Sequence, residues 1–351
     1  YASLLMMGIS TSIIGILPPA ASAGVGVVIV LQLMRLAQCF GRGGTWGGGI
    51  LMAYENVPEN KRSFYAAIPQ IGLPIGFGLS SILIAVPTLL LPEDIFFTWG
   101  WRIPFLAAII LTVIVIRQKG EMMETEDYKK AQAKLEAEEA EGKKHKVGFI
   151  PMVKGYWKTL LLGCGTRWVD GTFYNIFIVW ILSYCINWLG MPLIQTYIIT
   201  IIACIFKIPF TLFGGWCAQK LGNTRTFVIG ALASAVLSIP TLKVIELSKG
   251  NLAITIIGIV LGWSIAYNLI WAVISSLWSS YFETEVRYSG ISFVYHVPSF
   301  LVAGMVPTIC TLLINYGKGD TIYVGIYSTV VALISAACAL ALKARHDRGE
   351  K

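Results

Sequence analysis

Residues 25–53 read VGVVIVLQLMRLAQCFGRGGTWGGGILMA, a long apolar stretch whose only charges are Arg35 and Arg42. About 20 apolar residues in helical form cross a bilayer core, so this stretch is long enough to span one. Within it Arg35, Gln38, Arg42 and Thr45 follow an i, i+3, i+7, i+10 spacing. At ~100° per residue they fall on one side of a helix. The pattern predicts a spanning helix with a single polar stripe. Two guanidiniums on one stripe form a fork for carboxylate or phosphate oxygens; the structural alternative ties an arginine to backbone carbonyls near a helix end.

Nine further apolar runs flank this one, at 1–17, 64–91, 99–116, 159–186, 192–217, 226–242, 252–278, 290–315 and 321–342. Ten helices in a chain that is 56% hydrophobic and 13% charged mark an all-α polytopic membrane protein. The net charge of +8 does not point to nucleic acid, because basic residues fall between the apolar runs and not along one exposed face. Cysteines 39, 164, 185, 204, 217, 310 and 338 form no CxxC pair and no metal spacing, and they read as packing residues. Nothing in the sequence calls for a cofactor or metal.

Alternate loops carry Lys61 and Arg62, ten basic residues over 117–158, Lys220 and Arg225, Arg287, and Lys343, Arg345, Arg348 and Lys351. The opposite loops carry Lys243, Lys249 and Lys318. Positive loops stay inside, so both ends are expected in the cytoplasm of a cell-membrane protein. The polar stretch 117–158, rich in Glu, Lys and Ala, separates four helices from six. Transporters built as two six-helix repeats have such a connection. The expected organisation is therefore part of a first bundle over 1–116, a cytoplasmic connection over 117–158, a second bundle over 159–342 and a tail over 343–351. Tyr1 opens inside an apolar run, so the chain reads as N-terminally truncated, with ten of twelve helices present.

Charges inside spans face a cavity or a partner. Arg167 and Asp170 are i, i+3 neighbours that neutralise each other across one turn. They read either as a structural ion pair or as a site where protonating the carboxylate frees the cation. Tyr174 follows on the same helix. Lys207 lies mid-span with no acid within a turn, so its partner is expected on another helix or in the substrate. Trp263, Tyr267 and Trp271 form an i, i+4, i+8 aromatic stripe, with Asn268 beside it; the stripe reads as packing, while Tyr267 and Asn268 offer hydrogen bonds to a cavity. His296 is a proton-relay candidate or a helix-interface histidine. Arg35, Arg42, Arg167 and Lys207 against Asp170 alone make the cavity positive and favour an anion.

The glycine-rich run 41–49 lacks a GK[ST] ending and a preceding strand, so it is no phosphate loop. Together with Gly72 and Gly76 it is expected to pack helices tightly. HExxH, paired catalytic acids and nucleophile motifs are absent, which argues against an enzyme.

Several stretches together carry a family resemblance: Arg35-Leu36-Ala37-Gln38 through Gly43-Gly44-Thr45-Trp46-Gly47-Gly48, Glu55-Asn56-Val57-Pro58, Lys61-Arg62-Ser63-Phe64-Tyr65, Pro69-Gln70-Ile71-Gly72, Trp99-Gly100-Trp101-Arg102-Ile103-Pro104-Phe105, Arg167-x-x-Asp170 with Phe173-Tyr174, and Val286-Arg287-Tyr288-Ser289-Gly290. The chain from Leu5 to Leu342 resembles the metabolite:H⁺ symporters of the major facilitator superfamily, which include shikimate, α-ketoglutarate, citrate and proline/betaine permeases. The resemblance implies a twelve-helix fold whose fourth, seventh and tenth helices line the cavity, here the second, fifth and eighth runs. Thr45 stands where the family has an acid, Arg42 at a usually apolar position, and Asp170 in place of Glu. Gln219 and Lys220 replace the Asp and Arg of a gating loop.

The function expected is a monomeric secondary carrier, embedded in lipid, that imports a small organic anion with H⁺ by alternating access. Its substrate residues would be Arg35, Gln38, Arg42, Thr45, Arg167, Tyr174, Lys207, Tyr267 and Asn268, with Asp170 and His296 handling protons. The rival substrate is a zwitterionic osmolyte such as proline or betaine, received by the aromatic stripe through cation–π contact. A membrane receptor or embedded enzyme is the remaining alternative.

Overall fold

The computed structural model describes residues 2–18, 24–55, 57–58, 61–117 and 149–349. Every regular element among them is helical. Among the described residues eight helices are long and apolar enough to cross a membrane, and two shorter apolar ones, Ser3–Ile16 and Gly100–Ile114, complete the ten expected runs.

In chain order we label them α1 (Ala2–Ile16), α2 (Val25–Glu55), α3 (Gly72–Leu90, after the short Arg62–Ala67 and Pro69–Ile71), α4 (Ile103–Arg117), α5 (Phe149–Tyr174, continued by Asn175–Trp180 and Ile181–Asn187), α6 (Leu193–Leu221), α7 (Asn223–Leu247), α8 (Leu252–Ile259, Val260–Ala266 and Asn268–Ser279), α9 (Thr284–Leu301, Ala303–Met305 and Val306–Tyr316) and α10 (Ile322–Asp347). Asn175–Trp180 and Val260–Ala266 are wound as π-helix, a winding that often marks functional sites.

Polar and glycine residues fix the ends. Gly222 alone joins α6 to α7 at φ 90°, ψ 153°, a conformation open to residues without a Cβ. Asn251 caps α8, its Oδ1 accepting from the amides of Ala253 and Ile254 at 3.1 and 3.3 Å. Helix α5 starts ten residues before the expected run, at Phe149, and kinks at Tyr156 (φ −117°, ψ 19°). Beyond the kink Trp157 is exposed and Lys158 lies 5.5 Å over its ring, a pairing suited to the membrane–water boundary. These charges made the segment look like loop; the structure carries them on helix α5. The remainder of the expected connection, 118–148, lies outside the described residues.

The described residues fall into two compact units, one drawn from 1–49 and 79–124, the other from 50–78 and 125–351. In the first, α1 packs on α4 with Gly8 against Thr112, while a Cβ on Gly41 of α2 would lie 2.6 Å from the Ser3 carbonyl oxygen. Arg102 donates to the Leu17 carbonyl at 3.1 Å and its guanidinium covers the Trp101 ring at 4.6 Å.

In the second unit small residues again set the spacing. A Cβ on Gly214 of α6 would come within 2.6 Å of Ala272 on α8, and one on Gly325 of α10 within 2.8 Å of Ile239 on α7. Hydroxyls tie the helices: Ser335 of α10 donates to the Gly165 carbonyl at 2.7 Å and accepts from the Val169 amide at 3.1 Å, and Ser238 bonds Ser328. Residues 62–71 also belong here. Trp271 of α8 donates its indole N–H to the Gln70 carbonyl at 3.1 Å. Among the described residues a Cβ at Gly72 or Gly76 would meet no heavy atom within 4 Å. Gly41 holds a close contact, and it is with α1.

Candidate functional site

Arg167, Asp170 and Lys207 are the only buried charged residues among those described, and all three lie in the second unit. Burying a charge in a low-dielectric interior costs several kcal/mol unless it is paired or bonded, so the surroundings of each matter.

Helix α5 presents Arg167 and Asp170 one turn apart, and they form an ion pair. The second oxygen of the carboxylate accepts from the hydroxyl of Tyr267 on α8. The guanidinium is held from α9 as well. Its Nη2 donates to Ser299 Oγ at 3.3 Å, and its Cζ lies 4.4 Å from the centroid of the Tyr295 ring. Three helices thus converge on one carboxylate–guanidinium pair. Phe173, a turn beyond Asp170, stacks on Tyr267 at 6.1 Å and 10° and fixes the plane of that ring.

Lys207 of α6 is fully buried. The partner it was expected to need is aromatic: Nζ lies 4.4 Å from the Trp263 ring centroid and 4.3 Å from that of Tyr267. Among the described residues no hydrogen-bond acceptor meets this Nζ. Helix winding arranges the two rings. The Tyr267 amide bonds the Gly262 carbonyl, five residues back, at 3.3 Å, and on this wider turn both Trp263 and Tyr267 bring their rings to the ammonium. Tyr267 therefore serves both charges, through its hydroxyl to Asp170 and its face to Lys207.

Asn268, also a substrate candidate, bonds within the protein. It is buried, donating to the Lys207 carbonyl at 2.8 Å and accepting from Thr211 Oγ1 at 3.1 Å. Thr211 also donates to the Lys207 carbonyl at 2.9 Å. These bonds tie α8 to the Lys207 carbonyl of α6, two residues before Pro209. Asn268 is a tie between helices. The aromatic stripe divides: Trp263 and Tyr267 face Lys207, and Trp271 bonds Gln70.

In the first unit Arg35 Nη1 donates to Gln38 Oε1 at 3.4 Å, and Gln38 Nε2 donates to Thr11 Oγ1 of α1 at 2.7 Å. Arg35 and Gln38 thus share the expected stripe, whose Gln38 docks on α1. Arg42 is exposed. The side chain of Thr45 lies outside the described residues. In the second unit Tyr174 is half-buried, its ring 5.8 Å from Phe77. His296 is half-buried with its ring edge-on to Tyr295 at 5.0 Å. Tyr295 and Ser299 were not singled out from sequence. They are i, i+4 on α9, a spacing that puts both on one face toward Arg167.

The sequence matches the Major Facilitator Superfamily over residues 2–307. The chain belongs to this superfamily. This facilitator is 32% identical over 353 residues to the inner membrane metabolite transport protein YhjE of Escherichia coli K12, covering 99% of this chain and 77% of that one. It is 30% identical to the shikimate transporter of the same organism, covering 96% and 76%, and 27% identical to the proline/betaine transporter of Salmonella typhimurium LT2, covering 99% and 69%. Among solved structures the facilitator superposes on the proton:xylose symporter XylE bound to 6-bromo-6-deoxy-D-glucose with TM-score 0.71 at 16% identity, over 96% of this chain and 78% of that one. For the fucose:proton symporter FucP of E. coli the TM-score is 0.62 at 12% identity, over 97% and 83%. At such identities the likeness speaks for the fold. The facilitator is a multi-pass membrane transporter and not an enzyme.

Proposed function

We propose that this facilitator is a secondary carrier that imports a small organic carboxylate together with protons. The observation that carries the reading is the buried Arg167–Asp170 pair with the Tyr267 hydroxyl on Asp170. A carboxylate substrate competes with Asp170 for Arg167. Once displaced from its cation, Asp170 is favoured in its protonated form, so anion and proton load together. Lys207 adds a second buried cation, and Arg35 and Arg42 are further substrate candidates read from the sequence. His296, beside the Tyr295 that supports Arg167, is the second proton-handling candidate.

In this reading residues 1–116 and 159–342 act as two bundles that rock about the substrate, linked by 117–158, with both ends cytoplasmic by the positive-inside rule. The working unit is a monomer in lipid. The curated relatives supply the substrate range, since one is a shikimate transporter and another a proline/betaine transporter.

A second reading, transport of a betaine-type osmolyte, is favoured by the Trp263–Tyr267 aromatic pair. Against it stands the lysine already seated there. Proteoliposomes with an imposed inward proton gradient decide between them. Accumulation of shikimate, α-ketoglutarate or citrate, collapsed by a protonophore, supports the carboxylate reading. Accumulation of glycine betaine or proline alone overturns it.

A further inference from the structure

Trp263 and Tyr267 of α8 form two walls of an aromatic cage, the arrangement that receives quaternary ammonium groups through cation–π attraction. Its occupant here is the protein's own cation. Lys207 Nζ lies 4.4 and 4.3 Å from the two ring centroids. Both rings and the lysine are fully buried. Among the described residues no acceptor bonds Nζ, and every ion pair among them uses another cation. The nearby acid, Asp170, spends its oxygens on Arg167 and the Tyr267 hydroxyl.

A lysine held for ion pairing would be expected against a carboxylate, and a lysine held for packing would be replaceable by an aliphatic chain. Among the described residues this ammonium has only ring faces to compensate its burial. We propose that Lys207 is a resident plug in a cage of quaternary-ammonium type, and so the residue that sets substrate class. Seated, it denies the cage to betaine-like cations. Drawn off the rings by an arriving carboxylate, it supplies that anion's counter-charge. Replacing it with a small neutral residue opens the cage to a methylated ammonium group.

The inference rests on the reading that this part of α6 and α8 faces the transport path. It is tested on the detergent-solubilised transporter by thermal melting and tryptophan fluorescence, with glycine betaine, tetramethylammonium, shikimate and α-ketoglutarate as probes. The native protein should respond to a carboxylate and not to either methylated cation. Lys207→Ala should gain a saturable response to both cations. Adding Trp263→Leu should weaken that gained binding about tenfold or more. Lys207→Gln is read in the same way if Lys207→Ala does not fold.

A folded Lys207 variant that binds neither cation overturns the proposal. So does a gained response that survives Trp263→Leu, or a native protein that already binds tetramethylammonium. The carboxylate arm separates this inference from the proposed function. A native carboxylate response without a gain in the variant sinks the cage alone, and a gain in the variant without a native carboxylate response sinks the carboxylate reading alone.

Discussion

The hydroxyl of Tyr267 donates to the carboxylate of Asp170, 97 positions away in the chain. The bond joins α5 to α8, and each of these helices carries a π-helical stretch next to its half of the pair. Asp170 is also the only buried acid among the described residues. A change in its charge is therefore felt at once by Arg167 and by the ring that faces Lys207.

Asp170→Asn imitates the protonated state. Under the proposed function the variant keeps substrate binding and exchange but loses accumulation driven by a proton gradient. Counterflow and gradient-driven uptake in proteoliposomes measure the two separately. Uphill accumulation at the native level would remove Asp170 from coupling.

Tyr267→Phe keeps the stack on Phe173 and the face toward Lys207 while removing one donor from the carboxylate. A hydrogen bond to a charged group is worth about 1.5–3 kcal/mol, and one pH unit corresponds to about 1.4 kcal/mol. The pH profile of uptake should shift, and the melting temperature should fall as a buried donor to a charged group is lost. An unmoved profile would leave Tyr267 with a packing role only.

Arg42→Leu removes one cation from the α2 stripe and restores the apolar type that the family resemblance implies there. If Arg42 contacts the substrate anion, apparent affinity falls about tenfold or more, the equivalent of one charge-assisted contact. Uptake titrations read the change. Equal affinity and equal substrate range in variant and native protein would make Arg42 structural.

Asp320 tests pH dependence outside the spans. Its Oδ1 accepts from Lys243 Nζ at 2.6 Å and from the Ile322 amide at 2.7 Å, and the lysine hydrogen bond leads in holding its carboxyl below the usual carboxylate range. A lowered folded-state value contributes stability above the unfolded carboxylate range, and that contribution fades as pH falls through the folded value. Asp320→Asn should lower the melting temperature slightly at neutral pH, in keeping with an exposed ion pair. The difference should vanish in acid, and a difference that grew there would contradict the assignment.

Single thiols placed in a cysteine-free background test the topology. Those introduced in 18–24, 187–191 or 316–320 should react with a membrane-impermeant reagent in intact cells, and those in 121–146 should not. Labelling of 121–146 from outside would invert the proposed orientation.

The spans were legible because a bilayer demands length and apolarity, and both show directly in runs such as 192–217. The Arg167–Asp170 pair was legible for the same kind of reason, since one helical turn settles a contact at i, i+3. Lys207 announced itself as a lone cation. Its two rings did not, because the stripe at 263, 267 and 271 has the spacing of ordinary packing, and only the fold sends Trp271 to Gln70. Tyr295 and Ser299 lay hidden behind His296, the more conspicuous titratable neighbour. Asn268 stood out as an amide inside a span, but its bond to the Lys207 carbonyl of α6 needed the fold to be seen.

The π-wound stretch 260–266 has a consequence for chain length. Deleting one residue there would let α8 wind as an uninterrupted α-helix, with every turn still hydrogen-bonded. A π turn takes up one extra residue and leaves the flanking α segments facing nearly as before, so Asn268 onward would keep its direction relative to Leu252–Ile259. Trp278, which donates to Thr166 at 2.8 Å, would stay opposite its partner. What the deletion would remove is the five-residue bond from the Tyr267 amide to the Gly262 carbonyl, and with it the wide turn beside Lys207.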